Sequence, residues 1–302
     1  MESNQLVVIL GATATGKTSL AVALADQLGS EIISADSRQV YRGMDLGTGK
    51  DIDEYNYNGK PIPYHIIDIV DPGYEFNVFE FQQHFLTAYN DITNRNINPI
   101  LCGGTGLYID SVLKGYRLLK VPDNLELRSK LELFSDKELV ERLSSYRNLH
   151  NTTDTEDRKR IVRAIEIEEY YLSHTEESKF PKFPYVIFGI QFERQIVRDR
   201  ITFRLKERLD QGMVDEVRKL IDGGVSPDAL KFYGLEYKFL TQYICNEITY
   251  DEMFKRLNTA IHQFAKRQMT WFRRMEKLGM KIHWIDGNLS IDDKLSFINE
   301  RI

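Results

Sequence analysis

The sequence predicts an α/β fold, a parallel sheet flanked by helices and interrupted by a mainly helical insertion, on three observations. Short apolar runs alternate with amphipathic stretches in the first part of the chain. Strand signals then fade between about Gly115 and Pro184, and a new apolar run, Tyr185 to Ile190, follows the break at Phe183-Pro184. With 302 residues, 42% of them hydrophobic and 28% charged, the chain exceeds the usual single-domain range, so an α/β body carrying a subdomain is the expected plan. The boundaries read as 1–115 together with 183–302 for the core, and 116–182 for the insertion.

Leu6 to Leu10 reads as the first strand, about Lys17 to Leu28 as a helix, and Glu31 to Ala35 as the second strand. Tyr64 to Val70 follows as a strand, Val78 to Asn90 as a helix, and Pro99 to Cys102 as a buried strand running into Gly103-Gly104. The insertion is charged and helical in pattern, as in Leu125-Glu126-Leu127-Arg128 and Arg160-Ile161-Val162-Arg163. Beyond it, a long basic helix is predicted from about Gln195 to Asp222, ended by Gly223-Gly224. Two further helical patterns run to about Leu278, and Lys281 to Ile285 supplies a last strand.

The formal net charge of −5 argues against a protein that coats nucleic acid indiscriminately, because such binding needs many phosphate contacts; an RNA partner must be met by local basic patches. Cys102 and Cys245 are far apart, with no CxxC pair and no histidine at ligand spacing, so neither a disulfide framework nor a zinc site is expected. No apolar run approaches the roughly 20 residues of a membrane span, and Met1 to Gln5 lack a basic leader region, so a cytoplasmic protein is expected.

Gly11-Ala12-Thr13-Ala14-Thr15-Gly16-Lys17-Thr18 is a complete G-x-x-x-x-G-K-T, placed after a strand and opening a helix. Its glycines let backbone N–H groups turn around a phosphate, the helix adds its positive end, Lys17 supplies a mobile charge, and the Thr18 hydroxyl is placed to ligate Mg²⁺. The core is therefore expected to be P-loop NTPase-like, with a diphosphate or nucleotide in the cradle. Gly47-Thr48-Gly49-Lys50 has the wrong spacing for a second cradle, since Met44 stands at the first glycine position. Pro99 to Cys102 ends in Gly103-Gly104-Thr105-Gly106-Leu107-Tyr108 without the carboxylate that many NTPases place there, which weakens ATPase and motor readings.

Asp36 closes the second strand and so stands at the carboxyl edge of the sheet, beside the P-loop. There it is either a turn residue or an acceptor for the proton of an attacking amine or hydroxyl. Gln39 has the donor and acceptor needed to read a base edge; Arg38 and Tyr41 read equally as surface and packing residues.

The P-loop, Asp36-Ser37-Arg38-Gln39-Val40-Tyr41, Gly43-Met44-Asp45-Leu46-Gly47-Thr48 and the Gly103 to Tyr108 string, in this order, resemble the motifs of the tRNA dimethylallyltransferase family. The likeness continues through Asp157 to Glu166, where Arg160 to Glu166 is similar to a family RNA-contacting helix, and through Ala265-Lys266-Arg267-Gln268-Met269-Thr270-Trp271-Phe272-Arg273, covering nearly the whole chain. Ala12 stands where the family commonly has Pro, and Tyr233 to Lys238 differs from the commoner Gly-Tyr-Lys-Glu run.

The resemblance implies transfer of a dimethylallyl group from its diphosphate to N6 of the adenosine 3′ of the anticodon in tRNA, with Mg²⁺ as cofactor; a monomer is expected. It implies that Asp36 orients the amine and takes its proton, that Lys17 and Arg200 stabilise the departing diphosphate, and that Thr105 touches the base or diphosphate. Arg204, one helical turn on, is the rival for the Arg200 role. RNA contacts are implied for Asp36, Ser37, Arg38, Gln39, Thr105 and Arg128, and for Arg160, Ile161, Val162, Arg163 and Ala164. On a helical projection Lys266, Arg267, Arg273 and Arg274 form a positive arc opposite Phe264, Ala265, Trp271, Phe272 and Met275. Three alternatives stay open at this point: prenylation of free adenine nucleotides, a P-loop kinase of a small metabolite, and a nucleotide-dependent RNA-binding switch.

Overall fold

The computed structural model describes residues 5–146, 157–174 and 180–302; Met1 to Asn4, read above for a leader, lie outside them. β1 (Leu6–Gly11) is buried along its whole length, as an apolar run must be when helices cover both faces of a parallel sheet. It pairs in parallel with β6 (Ile100–Gly103) on one side and β7 (Tyr185–Gln191) on the other. β2 (Ile32–Ser34) lies beyond β6, β5 (Tyr64–His65) beyond β2, and β8 (Ile282–Asp286) beyond β7, giving the order β5-β2-β6-β1-β7-β8. A small antiparallel pair, β3 (Asn56–Tyr57) with β4 (Lys60–Pro61), stands apart from this sheet. Because the chain runs from β1 to β2 and leaves β6 between them, the loops after these three strands meet at one carboxyl edge, the usual place for a ligand in such sheets.

The helices of this unit are α1 (Lys17–Leu28), α2 (Val78–Asn94), α3 (Gly106–Leu113), α7 (Arg194–Asp210), α8 (Met213–Asp222), α9 (Pro227–Leu230), α10 (Leu235–Ile244), α11 (Tyr250–Lys277) and α12 (Ile291–Asn299). Leu20 and Leu24 of α1 and Ile298 of α12 join Val7, Ile9 and Phe188 in the main core. Both α2 and α11 start at capping boxes, Asn77 with Glu80 and Thr249 with Glu252, which satisfy the first orphan amides of each helix.

Two expectations need correction. The strand predicted from Tyr64 to Val70 is only two residues long, because Ile66 (φ 63°) and Asp68 (φ 55°) adopt left-handed backbone. That twist turns the Asp68 carboxylate onto Lys50, whose fully buried ammonium also donates to the Tyr41 carbonyl at 2.7 Å and to Asp45 at 2.8 Å. The string ending in Lys50 is thus a structural tie. The basic helix predicted from Gln195 to Asp222 is two helices, α7 and α8, broken where Gly212 takes φ 100°.

The chain divides into two compact units, Met1–Tyr116 with Pro181–Ile302, and Arg117–Phe180. The smaller unit contains α4 (Leu125–Leu131), α5 (Asp136–Tyr146) and α6 (Arg158–Ser173) around Leu127, Leu131, Leu139, Leu143, Ile161 and Ile165. Beside that core sits Glu166, 2% exposed. Its carboxylate accepts from Arg128 Nε at 3.0 Å and Nη2 at 2.9 Å, from the Asn124 amide at 2.6 Å, and from Arg163. Burial pushes this carboxyl up, but the Arg128 guanidinium, the Asn124 amide and Arg163 outweigh it and leave it below the usual carboxylate range. Its stabilisation is therefore present above the unfolded pKa of about 4.3 and lost as pH falls through the lower folded value.

Glu166→Ala, which leaves the partly exposed Arg128 and Arg163 sharing the exposed Asp123 carboxylate, is expected to destabilise this unit by about 2–3 kcal/mol. Hydrogen exchange of the α4 to α6 amides should accelerate accordingly while that of β1 is unchanged.

Candidate active site at the carboxyl edge of the sheet

The P-loop follows β1 and ends at α1, whose N-cap Gly16 is left-handed (φ 78°), as is Ala14 (φ 63°). Successive amides in such a bend face one concavity, and the first amides of α1, which lack intrahelical partners, add to it. Thr15 Oγ1 and Lys17 Nζ each donate to the Ala12 carbonyl at 2.8 Å, holding the loop closed on itself. Burial lowers the pKa of the Lys17 ammonium and Arg204 adds to this, against the opposing fields of Cys102, Asp36 and Glu54. Cys102 itself is pushed up to about 12 by burial, which leaves it an inert packing thiol at neutral pH.

Arg200 and Arg204 prove to have different surroundings. Arg200 Nε donates to the Ala14 carbonyl at 2.8 Å, and its guanidinium lies 4.9 Å from the centre of the Phe192 ring, so the group is fixed against the cradle. Arg204 pairs with Asp51 at 3.0 Å, and Arg208 holds the same carboxylate at 3.0 Å. Nearby, Glu54 accepts from Ser19 Oγ at 3.1 Å, with its carboxyl pushed up by burial and then by Asp51.

Asp36 follows β2. Its Oδ1 accepts from the Arg38 amide at 3.0 Å, so the turn role and the position beside the cradle coexist in one residue. The next loop interlocks with it: the Ala35 amide donates to the Cys102 carbonyl at 2.7 Å, the Thr105 amide to the Ala35 carbonyl at 3.2 Å, and the Ser37 amide to Thr105 Oγ1 at 3.1 Å. Thr105 is the N-cap residue of α3, yet its hydroxyl makes no cap bond and faces Ser37 instead. Gly103 lies so close to the Ala35 carbonyl that any Cβ there would collide with backbone. Gly104 and Gly106 are bounded instead by the side chains of Gln268 and Trp271 of α11. The string Gly103 to Gly106 thus owes its glycines to close packing.

Gln39, expected at a base edge, has its amide engaged internally: it accepts from Ser34 Oγ at 2.8 Å and donates to the Gly49 carbonyl at 3.2 Å. In the smaller unit, Arg128 and Arg163 are tied to Glu166, and Ile161 is 1% exposed, so its side chain is part of the core rather than a contact surface. Val162 and Ala164 pack against that core, while Arg160 stays exposed, with Asp157 at 3.9 Å. On α11, Lys266, Arg267, Arg273 and Arg274 are exposed and Ala265, Phe272 and Met275 buried, as projected; Phe264 departs from its predicted arc and is exposed under Arg267. Gln268 was missed. Its signal was a polar residue in the stripe Ile261, Ala265, Gln268, Phe272, Met275, all of which are buried.

The model of the family described as IPP transferase matches residues 39–275. The chain belongs to the IPP transferase family. A model described as isopentenyl transferase matches residues 4–58, the segment holding the P-loop and Asp36. Among IPP transferase relatives, a protein of Bacteroides fragilis called tRNA dimethylallyltransferase 2 is 58% identical over 100% of this chain and 99% of its own length. One of the same name from Phocaeicola vulgatus is 57% identical over 99% of this chain and 97% of its own. The crystal structure of the full-length tRNA isopentenylpyrophosphate transferase of Bacillus halodurans superposes with a TM-score of 0.72 at 32% identity, covering 98% of this chain and 95% of that one. The likeness read from the sequence motifs is thereby borne out, as is the P-loop-like α/β fold.

Proposed function

We infer that this chain is a tRNA dimethylallyltransferase, an enzyme that prenylates tRNA. The observation that carries this is full-length identity of 58% to a protein of that name, in a chain whose P-loop and Asp36-Thr105 turn end adjacent strands of one sheet. The donor in this reading is dimethylallyl diphosphate and the acceptor is N6 of the adenosine 3′ of the anticodon. The N6 lone pair forms a bond to C1 of the donor, the C1–O bond breaks with its electrons passing to the diphosphate oxygen, and the N6 proton passes to Asp36. Lys17, the P-loop amides and Arg200 hold the charge that grows on the departing diphosphate. Thr105, hydrogen-bonded to the Asp36 turn, keeps that turn facing the acceptor.

Thr18, in the first turn of α1, has no hydrogen-bond partner for its hydroxyl among the described residues, which fits it to hold Mg²⁺. When bound there, the ion would supply Lewis-acid stabilisation of the diphosphate oxygens. No helix among the described residues is long and apolar enough to cross a membrane. A monomer working in the cytoplasm completes the reading.

The test is incubation of the purified protein with Mg²⁺, dimethylallyl diphosphate and unmodified tRNA bearing adenosine beside the anticodon, with AMP in a parallel reaction, followed by nucleoside mass analysis. Prenylated adenosine from tRNA supports the reading; product from AMP alone refutes it. Titration with inorganic diphosphate separates the two arginines. Arg200→Gln is expected to weaken binding about tenfold through loss of a charge-assisted contact, whereas Arg204→Gln, which leaves Arg208 on Asp51, should change affinity less than about twofold.

A further inference from the structure

Two loops of the larger unit converge on one buried amide. Gln268 of α11 is 7% exposed, and its side chain reaches into the gap between the ends of β1 and β6. Its Oε1 accepts from the Thr13 amide of the P-loop at 2.8 Å, and its Nε2 donates to the Gly104 carbonyl at 2.9 Å. These partners lie 255 and 164 residues away in sequence, so neither bond is a by-product of local structure. Both functional edges of the amide are used. A buried primary amide is costly to desolvate and survives here because the loops it joins offer one donor and one acceptor at the right spacing.

The two loops hold different halves of the chemistry. The P-loop carries Lys17 and receives Arg200, while the loop after β6 carries Thr105 and, through the Ala35 and Ser37 bonds, fixes the Asp36 turn. β1 and β6 are neighbours along their strands, but past Gly11 and Gly103 the ladder ends. We propose that Gln268 is a positioning residue that clamps the P-loop to the Thr105 loop, setting the register between the leaving-group site and the acceptor site. The proposal rests on the functional reading above for what the two loops hold, though the clamp itself does not. It also makes α11 a two-faced element: a buried amide on the reaction side, and Lys266, Arg267, Arg273 and Arg274 exposed elsewhere on the same helix.

Two independent variants break the clamp. Gln268→Leu keeps volume and removes both bonds. Gly104→Ala places a Cβ against Gln268 Nε2 and displaces the amide from the other side. For each folded variant, confirmed by a melting curve, three quantities are measured: the Kd of inorganic diphosphate, the Kd of unmodified tRNA, and the single-turnover rate of prenyl transfer with both substrates saturating. Loosening the cradle is expected to weaken diphosphate about tenfold and to slow transfer by about ten- to a hundredfold, with tRNA affinity within about twofold of wild type. The double variant should be no worse than the poorer single one, because both remove the same link. Diphosphate affinity and transfer rate both within about twofold of wild type in the two folded variants would overturn the clamp. A wild-type protein that makes no prenylated tRNA would instead defeat the functional reading, and the diphosphate titration would still decide the clamp.

Discussion

Asp36→Asn is expected to slow prenyl transfer by about two to four orders of magnitude, the usual worth of a positioned proton acceptor. The substitution is chosen because the amide oxygen of Asn can keep the bond from the Arg38 amide, and with it the turn that shapes the loop. What is lost is the capacity to take a proton. Diphosphate binding at the P-loop, which Asp36 does not form, should stay within about twofold, and thermal stability within about 0.5 kcal/mol. Asp36→Ala removes the turn bond as well, so it should be both slow and less stable. Single-turnover rates together with melting curves separate the two roles; an Asn variant that retains more than about a third of the wild-type rate would remove Asp36 from the chemistry.

Lys17→Met is expected to lower kcat by about two to three orders of magnitude, because the ammonium answers charge that appears as the diphosphate departs. Its loss should fall on the rate more than on the affinity for tRNA. The lowered pKa of Lys17 gives this prediction a second readout. An ammonium below its pKa is charged, so activity that depends on it is present at lower pH and lost as pH rises through the depressed value, earlier than an ordinary surface lysine near 10.5 would require. Lys17→Arg, whose guanidinium stays charged throughout, should retain part of the activity and move that alkaline fall upward. The pH dependence of kcat/KM for wild type and Lys17→Arg, compared side by side, checks both halves.

What could be read from the sequence was local in origin. The P-loop shows itself because eight consecutive residues perform one task, and the Asp36 turn because strand, turn and carboxylate adjoin. The Gly103 to Gly106 string was visible as a motif, although its cause, the approach of Ala35, Gln268 and Trp271, required the fold. Residues whose neighbours are distant in sequence could not be read in this way. Arg128 and Arg163 look like a phosphate-seeking pair until Glu166 appears between them. Arg200 and Arg204, equivalent by helical spacing, are separated by Asp51, which takes the second into an ion pair. The break at Gly212 was legible in principle, since one left-handed glycine between two amphipathic runs suffices to end a helix. Ile66 is the opposite case, since nothing in a β-branched residue announces a left-handed backbone.

That backbone at Ile66 has a consequence for how the protein behaves in company. A sheet margin is a template on which another chain can add a strand, and the margin formed by Tyr64 and His65 is only two residues long. Pro61 and Pro63 stand just before it without amide hydrogens to offer, and the left-handed turns at Ile66 and Asp68 bend the chain away just after it. A newcomer would find too short a ladder to gain a foothold, so this side of the sheet is built to resist intermolecular strand pairing and the aggregation that follows from it.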